Sequence, residues 1–321
     1  MNTTLDLNYI NGIIKNHKEN SIYGRWIRLS DVEKVLSKFE NSTYFSSKII
    51  GASEESRNIH EVTIGNGSKK ILIWTQMHGN ESTGTKAVTD LINYFCRSKD
   101  KIRLQILTNA TIKIIPILNP DGAEHYTRYN ASSIDLNRDA INKDATESKL
   151  LRKVLDDFKP DFCFNLHDQR TIFGVEGENK PATISFLAPS EESLRKVTNT
   201  RIKTMNVICS MNNLLQEIIP GQVGRYSDEF YPTATGDNFQ KLGFPTILIE
   251  SGHFKDDYQD YFKIPSNVKN FGDLLHIYPT KENVGYLYEE ILEENLIKFI
   301  PKMIKEDISN LIFHKEIDFA R

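Results

Sequence analysis

Along this chain the apolar residues alternate between short unbroken runs and the wider spacing of helices. Ile71-Leu72-Ile73-Trp74 is a run suited to a buried strand, and Ala87, Val88, Leu91, Ile92 and Phe95 follow it at helical intervals. A second run, Ile112 to Leu118, stops at the turn Asn119-Pro120-Asp121-Gly122. A third, Phe162 to Leu166, comes after helical spacing around Leu150 to Phe158. The alternation continues with Ile184 to Leu187, a long helix expected from about Ser190 to Ile218, and a last run, Thr246-Ile247-Leu248-Ile249. Upstream, Ser30-Asp31-Val32-Glu33 has the capping-box pattern of a helix start ahead of Val35, Leu36 and Phe39. Buried strands alternating with helices predict an α/β fold with a mixed, largely parallel central sheet covered by helices on both faces.

No internal repeat or low-complexity tract divides the chain. The segment from Pro220 to Gly243 is rich in turn residues but too varied for a linker. A single domain over residues 1–321 is therefore expected, with a helical lead-in at the N-terminus. Beyond Tyr278, Leu287, Ile291, Leu292 and Ile297 read as a charged C-terminal helix.

Charge narrows the partners. With 40 basic and 43 acidic side chains the net charge is −3, which gives no electrostatic footprint for nucleic acid or a membrane surface. No stretch reaches membrane-spanning length, and Met1 to Asn20 lacks the apolar core of a secretory signal. Cys96, Cys163 and Cys209 are too few and scattered for a disulfide framework. They read as small buried residues of a cytoplasmic protein.

The chemistry-bearing residues cluster at strand ends. His78 and Glu81 follow the first run, His167 closes the third, and Glu250 closes the last. Open α/β sheets bind ligands beyond the carboxyl ends of their strands. Two histidines and a carboxylate leave a fourth position on a zinc ion, which is the catalytic arrangement rather than the structural one. His-x-x-Glu alone is weak: eight histidines and 43 acids in 321 residues give about one such spacing by chance, and His253-x-x-Asp256 is another. On spacing alone His78 is equally a surface loop residue, and Glu250 also fits an ion-paired structural carboxylate.

The surrounding residues change the weighing. Gln76-Met77-His78-Gly79-Asn80-Glu81-Ser82-Thr83-Gly84, Asn119-Pro120-Asp121-Gly122, Thr127-Arg128-Tyr129-Asn130, Asp135-Leu136-Asn137-Arg138, Asn165-Leu166-His167-Asp168 and Ile249-Glu250-Ser251-Gly252 occur in the order seen in the zinc carboxypeptidase family. The chain resembles that family over about Ile50 to Gly252, with the motif-bearing core ending near residue 255. Its compact spacing between Asn119 and Arg138 is more similar to murein peptide amidases and to the aspartoacylase/succinylglutamate desuccinylase branch than to digestive carboxypeptidases.

The resemblance implies one zinc ion per chain held by His78, Glu81 and His167, with Asp135 orienting a histidine ligand. It implies Glu250 as the general base and acid, Arg128 as the cation that polarises the scissile carbonyl, and Asn137 with Arg138 as a clamp for a free carboxylate. The expected function is hydrolysis of a peptide or amide bond next to a free carboxylate. An N-acyl amino acid deacylase or a murein peptide amidase would use the same residues, and a silent peptide-binding homologue is a further alternative. The expected partner is thus a peptide or N-acyl amino acid.

Tyr226 and Tyr231 lie where digestive members carry a mobile tyrosine, but ordinary packing or surface placement explains them as well. Asp237 hints at a basic substrate side chain, although a loop aspartate more often caps a turn. His60, His125, His253, Cys163 and Trp74 have no reading beyond packing or surface.

Overall fold

A computed structural model of the chain describes residues 7–169 and 172–254. The chain opens with α1 (Leu7–His17) and α2 (Leu29–Leu36), then β1 (Phe45–Ala52) and β2 (Asn58–Ile64). The first expected strand is β3 (Lys69–Thr75), followed by α3 (Thr83–Arg97), α4 (Lys101–Asn109) and β4 (Ala110–Ile115). Next come α5 (Pro120–His125), α6 (Thr146–Phe158), β5 (Phe162–Asp168) and β6 (Ile184–Leu187). The described part closes with α7 (Asn199–Ile218), β7 (Val223–Arg225), α8 (Thr235–Lys241) and β8 (Thr246–Ser251).

The eight strands form one sheet in the order β1-β2-β4-β3-β5-β8-β6-β7. Its centre, β4-β3-β5-β8, is parallel, while β1-β2, β2-β4 and β8-β6 pair antiparallel. The central strands are apolar on both faces because both faces are covered. Ile71 and Ile73 pack with α2, α3 and α4 on one side, and Leu72 and Trp74 pack with α6 and α8 on the other. This is the mixed, largely parallel α/β sheet that the sequence pattern predicts. Among the described residues no helix is long and apolar enough to cross a membrane.

Three expectations need correction. Helix α7 begins at Asn199, not near Ser190, with Thr198 Oγ1 accepting from the Arg201 backbone N–H. The cause lies in the buried Arg201 guanidinium, which takes the carbonyls of Ala188 and Arg195 and so holds the preceding segment in another path. Helix α2 starts at Leu29, and the carboxylate that reaches back is Asp31, accepting from Arg28 N at 3.0 Å, not Glu33. Among the cysteines, Cys163 is buried and Cys96 half-buried, but Cys209 of α7 is exposed. The helix expected beyond Tyr278 lies outside the described residues.

Candidate metal centre

The site forms where three chain crossings meet at the carboxyl ends of the parallel strands. After β3 the chain leaves the sheet through Gln76, whose φ of 48° turns the backbone sharply. Its side chain anchors that turn: Gln76 Nε2 donates to the carbonyls of Ile27 and Gly79 at 2.8 Å each, and Oε1 accepts from Thr85 Oγ1 at 2.7 Å. From the neighbouring crossing, Asn119 Nδ2 donates to Met77 O at 3.2 Å and Arg128 O at 3.4 Å, while Oδ1 accepts from Gly122 N. One amide thus ties the His78 loop to α5 and to the segment that carries Arg128.

These anchors bring His78, Glu81 and His167 together. His78 Nδ1 lies 2.8 Å from Glu81 Oε1, and His167 Nδ1 lies 2.9 Å from Glu81 Oε2 and 3.1 Å from His78 Nδ1. All three residues are buried. Among the described residues they are the one His/Cys/Asp/Glu group whose ligand atoms converge closely enough for a metal ion.

The donor set fits zinc. His78 Nε2 faces Asp135 Oδ1 at 3.2 Å, so that nitrogen carries the proton and Nδ1 turns its lone pair inward. Two imidazole nitrogens 3.1 Å apart beside a carboxylate form an acceptor-rich cluster that a cation satisfies. Ligands at about 2.1 Å on a tetrahedral ion lie roughly 3.4 Å from one another. The present spacings therefore need to open by only a few tenths of an ångström. Burial presses the His167 imidazole below its ordinary value, which keeps it neutral and able to ligate. Burial pushes the Glu81 carboxyl up, yet the neighbouring His78 and His167 outweigh it and hold Glu81 well below the usual carboxylate range.

The remaining candidate residues surround this cluster. Arg128 Nε donates to Asp135 Oδ2 at 2.9 Å, and Nη1 reaches His78 Nδ1 at 3.2 Å and Glu81 Oε1 at 3.4 Å. Burial acts to lower the Arg128 pKa, but the carboxylates of Asp135, Glu81 and Glu250 raise it further above its ordinary value. Asp135 is pushed up by burial and pulled down more strongly by His78, Arg128 and Arg138, so it stays ionised. In the parallel β5-β8 pairing Glu250 is the direct partner of His167, which puts the carboxylate beside the ligands.

Asn137 and Arg138 follow Asp135 in a short 3-10 turn, with Asp135 Oδ1 accepting from Asn137 N at 2.8 Å. Asn137 Oδ1 accepts from Thr235 N at 3.0 Å, and Arg138 Nη1 donates to Asn137 O at 2.8 Å. All eight candidate residues therefore lie within or next to one cluster.

Other polar residues prove to be structural. Asp237 is buried and its Oδ1 accepts from Tyr231 N at 3.0 Å, the turn-capping alternative. His60 pairs with Glu33 and His125 with Glu55. Asp168, which had no assigned role, joins the scaffold: its Oδ2 accepts from Thr83 N and Oγ1 at the start of α3, and its backbone N–H donates to Glu81 Oε2. Its place in Asn165-Leu166-His167-Asp168 is its signal in the sequence. Gln76 and Asn119, likewise without assigned roles, stood inside the quoted motifs.

The zinc carboxypeptidase family model matches residues 32–179, a span that holds His78, Glu81, Arg128, Asp135, Asn137, Arg138 and His167 but not Glu250. The chain is similar to the probable carboxypeptidase 2 of Trichophyton verrucosum, 28% identical over 103 residues that make up 32% of this chain and 20% of that protein. Its fold is similar to a metallo-carboxypeptidase from Burkholderia cenocepacia, with a TM-score of 0.58 and 18% identity over 70% of this chain and 60% of that one. It is also similar to a Pseudomonas aeruginosa metallo-carboxypeptidase solved with (2-guanidinoethylmercapto)succinic acid, with a TM-score of 0.55 and 15% identity over the same shares of the two chains. The chain thus spans about a fifth of the length of that curated relative.

Proposed function

We propose, from the premise that residues 32–179 belong to the zinc carboxypeptidase family, that this chain is a zinc-dependent hydrolase cutting a peptide or amide bond next to a free carboxylate. The observation that carries the reading is the meeting of His78 Nδ1, His167 Nδ1 and both Glu81 oxygens, with Glu250 in register beside His167. One zinc ion bound by these residues supplies Lewis acidity and lowers the pKa of water.

The chain's own residues do the rest. Asp135 fixes the His78 tautomer through Nε2 and holds the Arg128 guanidinium through Nε. Arg128 then presents Nη1 toward the metal ligands, where a fixed cation stabilises charge developing on a carbonyl oxygen. Glu250 removes the proton of the attacking water and returns it to the leaving nitrogen. Asn137, its amide oxygen occupied by Thr235 N, keeps its NH₂ as the donor, and with Arg138 it binds the substrate carboxylate. The succinic acid derivative bound by the Pseudomonas aeruginosa relative is a dicarboxylate, which accords with an anionic substrate end here. The product is an amine-bearing carboxylate, whether the acyl side is a peptide, a cell-wall fragment or a simple acid.

Two measurements test the proposal. Metal analysis is expected to find one zinc per folded chain and its loss in His78→Ala and His167→Ala. Incubation of the zinc-loaded protein with peptide, muropeptide and N-acyl amino acid pools, read by mass spectrometry, is expected to show release of a carboxylate-bearing fragment. Stoichiometric zinc in both variants, or no cleavage in any pool, would overturn the reading.

A further inference from the structure

A second row of side chains lies one layer beneath the converging ligands, on the same face of the sheet. Asn165 and Leu248 stand two residues before His167 and Glu250 and are direct partners across β5 and β8. Trp74 of β3 is the partner of Asn165 on the other side. Residues two apart in a strand point the same way about 6.6 Å apart, so Trp74, Asn165 and Leu248 form a floor below the site. All three are buried.

Two members of this floor carry polar atoms that the fold leaves unanswered. Trp74 Nε1 and both Nδ2 and Oδ1 of Asn165 have no hydrogen-bonding partner among the described residues. Native interiors leave few such groups, and each calls for an explanation. Packing does not supply one, because leucine has nearly the shape of asparagine and carries no polar atoms to satisfy. Beside the row, Gly236 of α8 contributes no side chain, and a Cβ there would lie 3.9 Å from Leu248 Cδ1. No ionisable side chain belongs to the row itself.

We infer that Asn165, assisted by Trp74, is the specificity-determining residue of the site, selecting a substrate whose carboxylate-bearing residue has a neutral hydrogen-bonding side chain, above all a carboxamide. The inference rests on the hydrolytic reading given above. A carboxamide oxygen accepts from Trp74 Nε1 or Asn165 Nδ2, and its NH₂ donates to Asn165 Oδ1, so the two amides complete each other. An aliphatic side chain leaves all of these groups unpaired. A charged one enters a buried floor that holds no counter-ion.

The test uses the zinc-loaded full chain and N-acyl dipeptides that differ only in the last residue: Asn, Gln, Leu, Lys or Glu. The Asn-ended and Leu-ended substrates match in shape, and kcat/KM is expected to favour Asn by at least about tenfold, the equivalent of one hydrogen bond made or lost. In Asn165→Leu that preference is expected to vanish while the melting temperature of the metal-free protein holds or rises, since the replaced amide bonded to nothing. Equal hydrolysis of the Asn and Leu substrates by the wild type overturns the inference. So does an Asn165→Leu variant that melts several degrees lower and keeps its preference, because the amide is then structural. Should no dipeptide be hydrolysed, these substrates are not cut by the chain, and titration calorimetry with the same series decides the floor. A roughly tenfold affinity difference between Asn and Leu ends that is absent in Asn165→Leu upholds the assignment, and equal affinities overturn it.

Discussion

Replacing Gly79 by alanine places one methyl group where two backbones touch. An ideal Cβ on Gly79 would sit 1.9 Å from the Gly122 carbonyl carbon, 2.2 Å from Ala123 N and 2.4 Å from Gly122 O. Non-bonded carbons rest at about 3.5 Å, so the His78–Glu81 loop and the first turn of α5 must part by roughly 1.6 Å. Neither side yields freely. Gly79 O is held by Gln76 Nε2 at 2.8 Å, Gly122 N by Asn119 Oδ1 at 2.8 Å, and Asn119 N by Gln76 O at 3.1 Å. Overpacking of this kind costs about 1–3 kcal/mol, and each buried hydrogen bond broken adds about 1 kcal/mol.

A total near 3 kcal/mol corresponds to a fall of about 4–5 °C in melting temperature for a chain of this size, at roughly 2.1 cal/mol/K of unfolding entropy per residue. The site suffers separately, because a displacement of about 1 Å in catalytic geometry alone costs on the order of 10²-fold in rate. The assay is paired thermal unfolding and zinc analysis of Gly79→Ala, with Gly12→Ala as control. A Cβ at Gly12 meets nothing within 4 Å, and that helical position gains roughly 0.5–1 kcal/mol from alanine. If Gly79→Ala melts within a degree or two of the wild type and keeps its zinc, the close approach does not exist and the argument for the loop is wrong.

Other perturbations separate the roles of the surrounding residues. Asp135→Asn is expected to weaken zinc affinity by about 10–100-fold, read by competition with a chromogenic chelator, because it removes the carboxylate from His78 Nε2. Glu250→Gln is expected to keep its zinc while turnover falls by about 10²–10⁴-fold, and near-normal turnover would assign the proton transfer to another residue. An acid-ended substrate is expected to outrun its amidated form by about one to two decades in kcat/KM, with most of that gap lost in Arg138→Ala. Away from the site, burial pushes the Glu19 carboxyl up, but Lys38, Ser21 and Asn93 win and bring it from 4.5 down to about 2. A depressed folded-state pKa stabilises fully above the unfolded value, so this stabilisation is expected to be lost as pH falls from 4.5 to 2, and Glu19→Gln should flatten acid unfolding in that window.

How much the sequence reveals depends on where a residue's partners lie. Strands β3, β4, β5, β6 and β8 are legible because their buried positions leave short apolar runs. Strands β1, β2 and β7 are not legible in the same way. In β1, Ser46 to Ile49 are exposed, and a strand open to water carries no apolar run. In β2 the period-two signal is broken by Glu61, which is buried in company with Lys48 and Lys113 rather than apolar neighbours. The three residues of β7 are too short for any periodicity.

The same rule divides the site. His78, Glu81, His167 and Glu250 are legible because strand ends and motif order mark them, whatever their distant contacts. Gln76, Asn119 and Asp168 brace the His78–Glu81 loop through atoms contributed by residues from three to 87 positions away, and nothing local distinguishes them from surface amides and acids. Asn165 is the limiting case: its neighbours in sequence, Phe164 and Leu166, suggest only a buried strand. Its meaning arises when the sheet sets it beside Trp74 and Leu248 and one step below His167. A polar residue inside an apolar run is thus a question that only pairing can answer. Where the paired neighbours offer it no hydrogen bond, as Trp74 and Leu248 offer none here, the sheet by itself does not account for the amide.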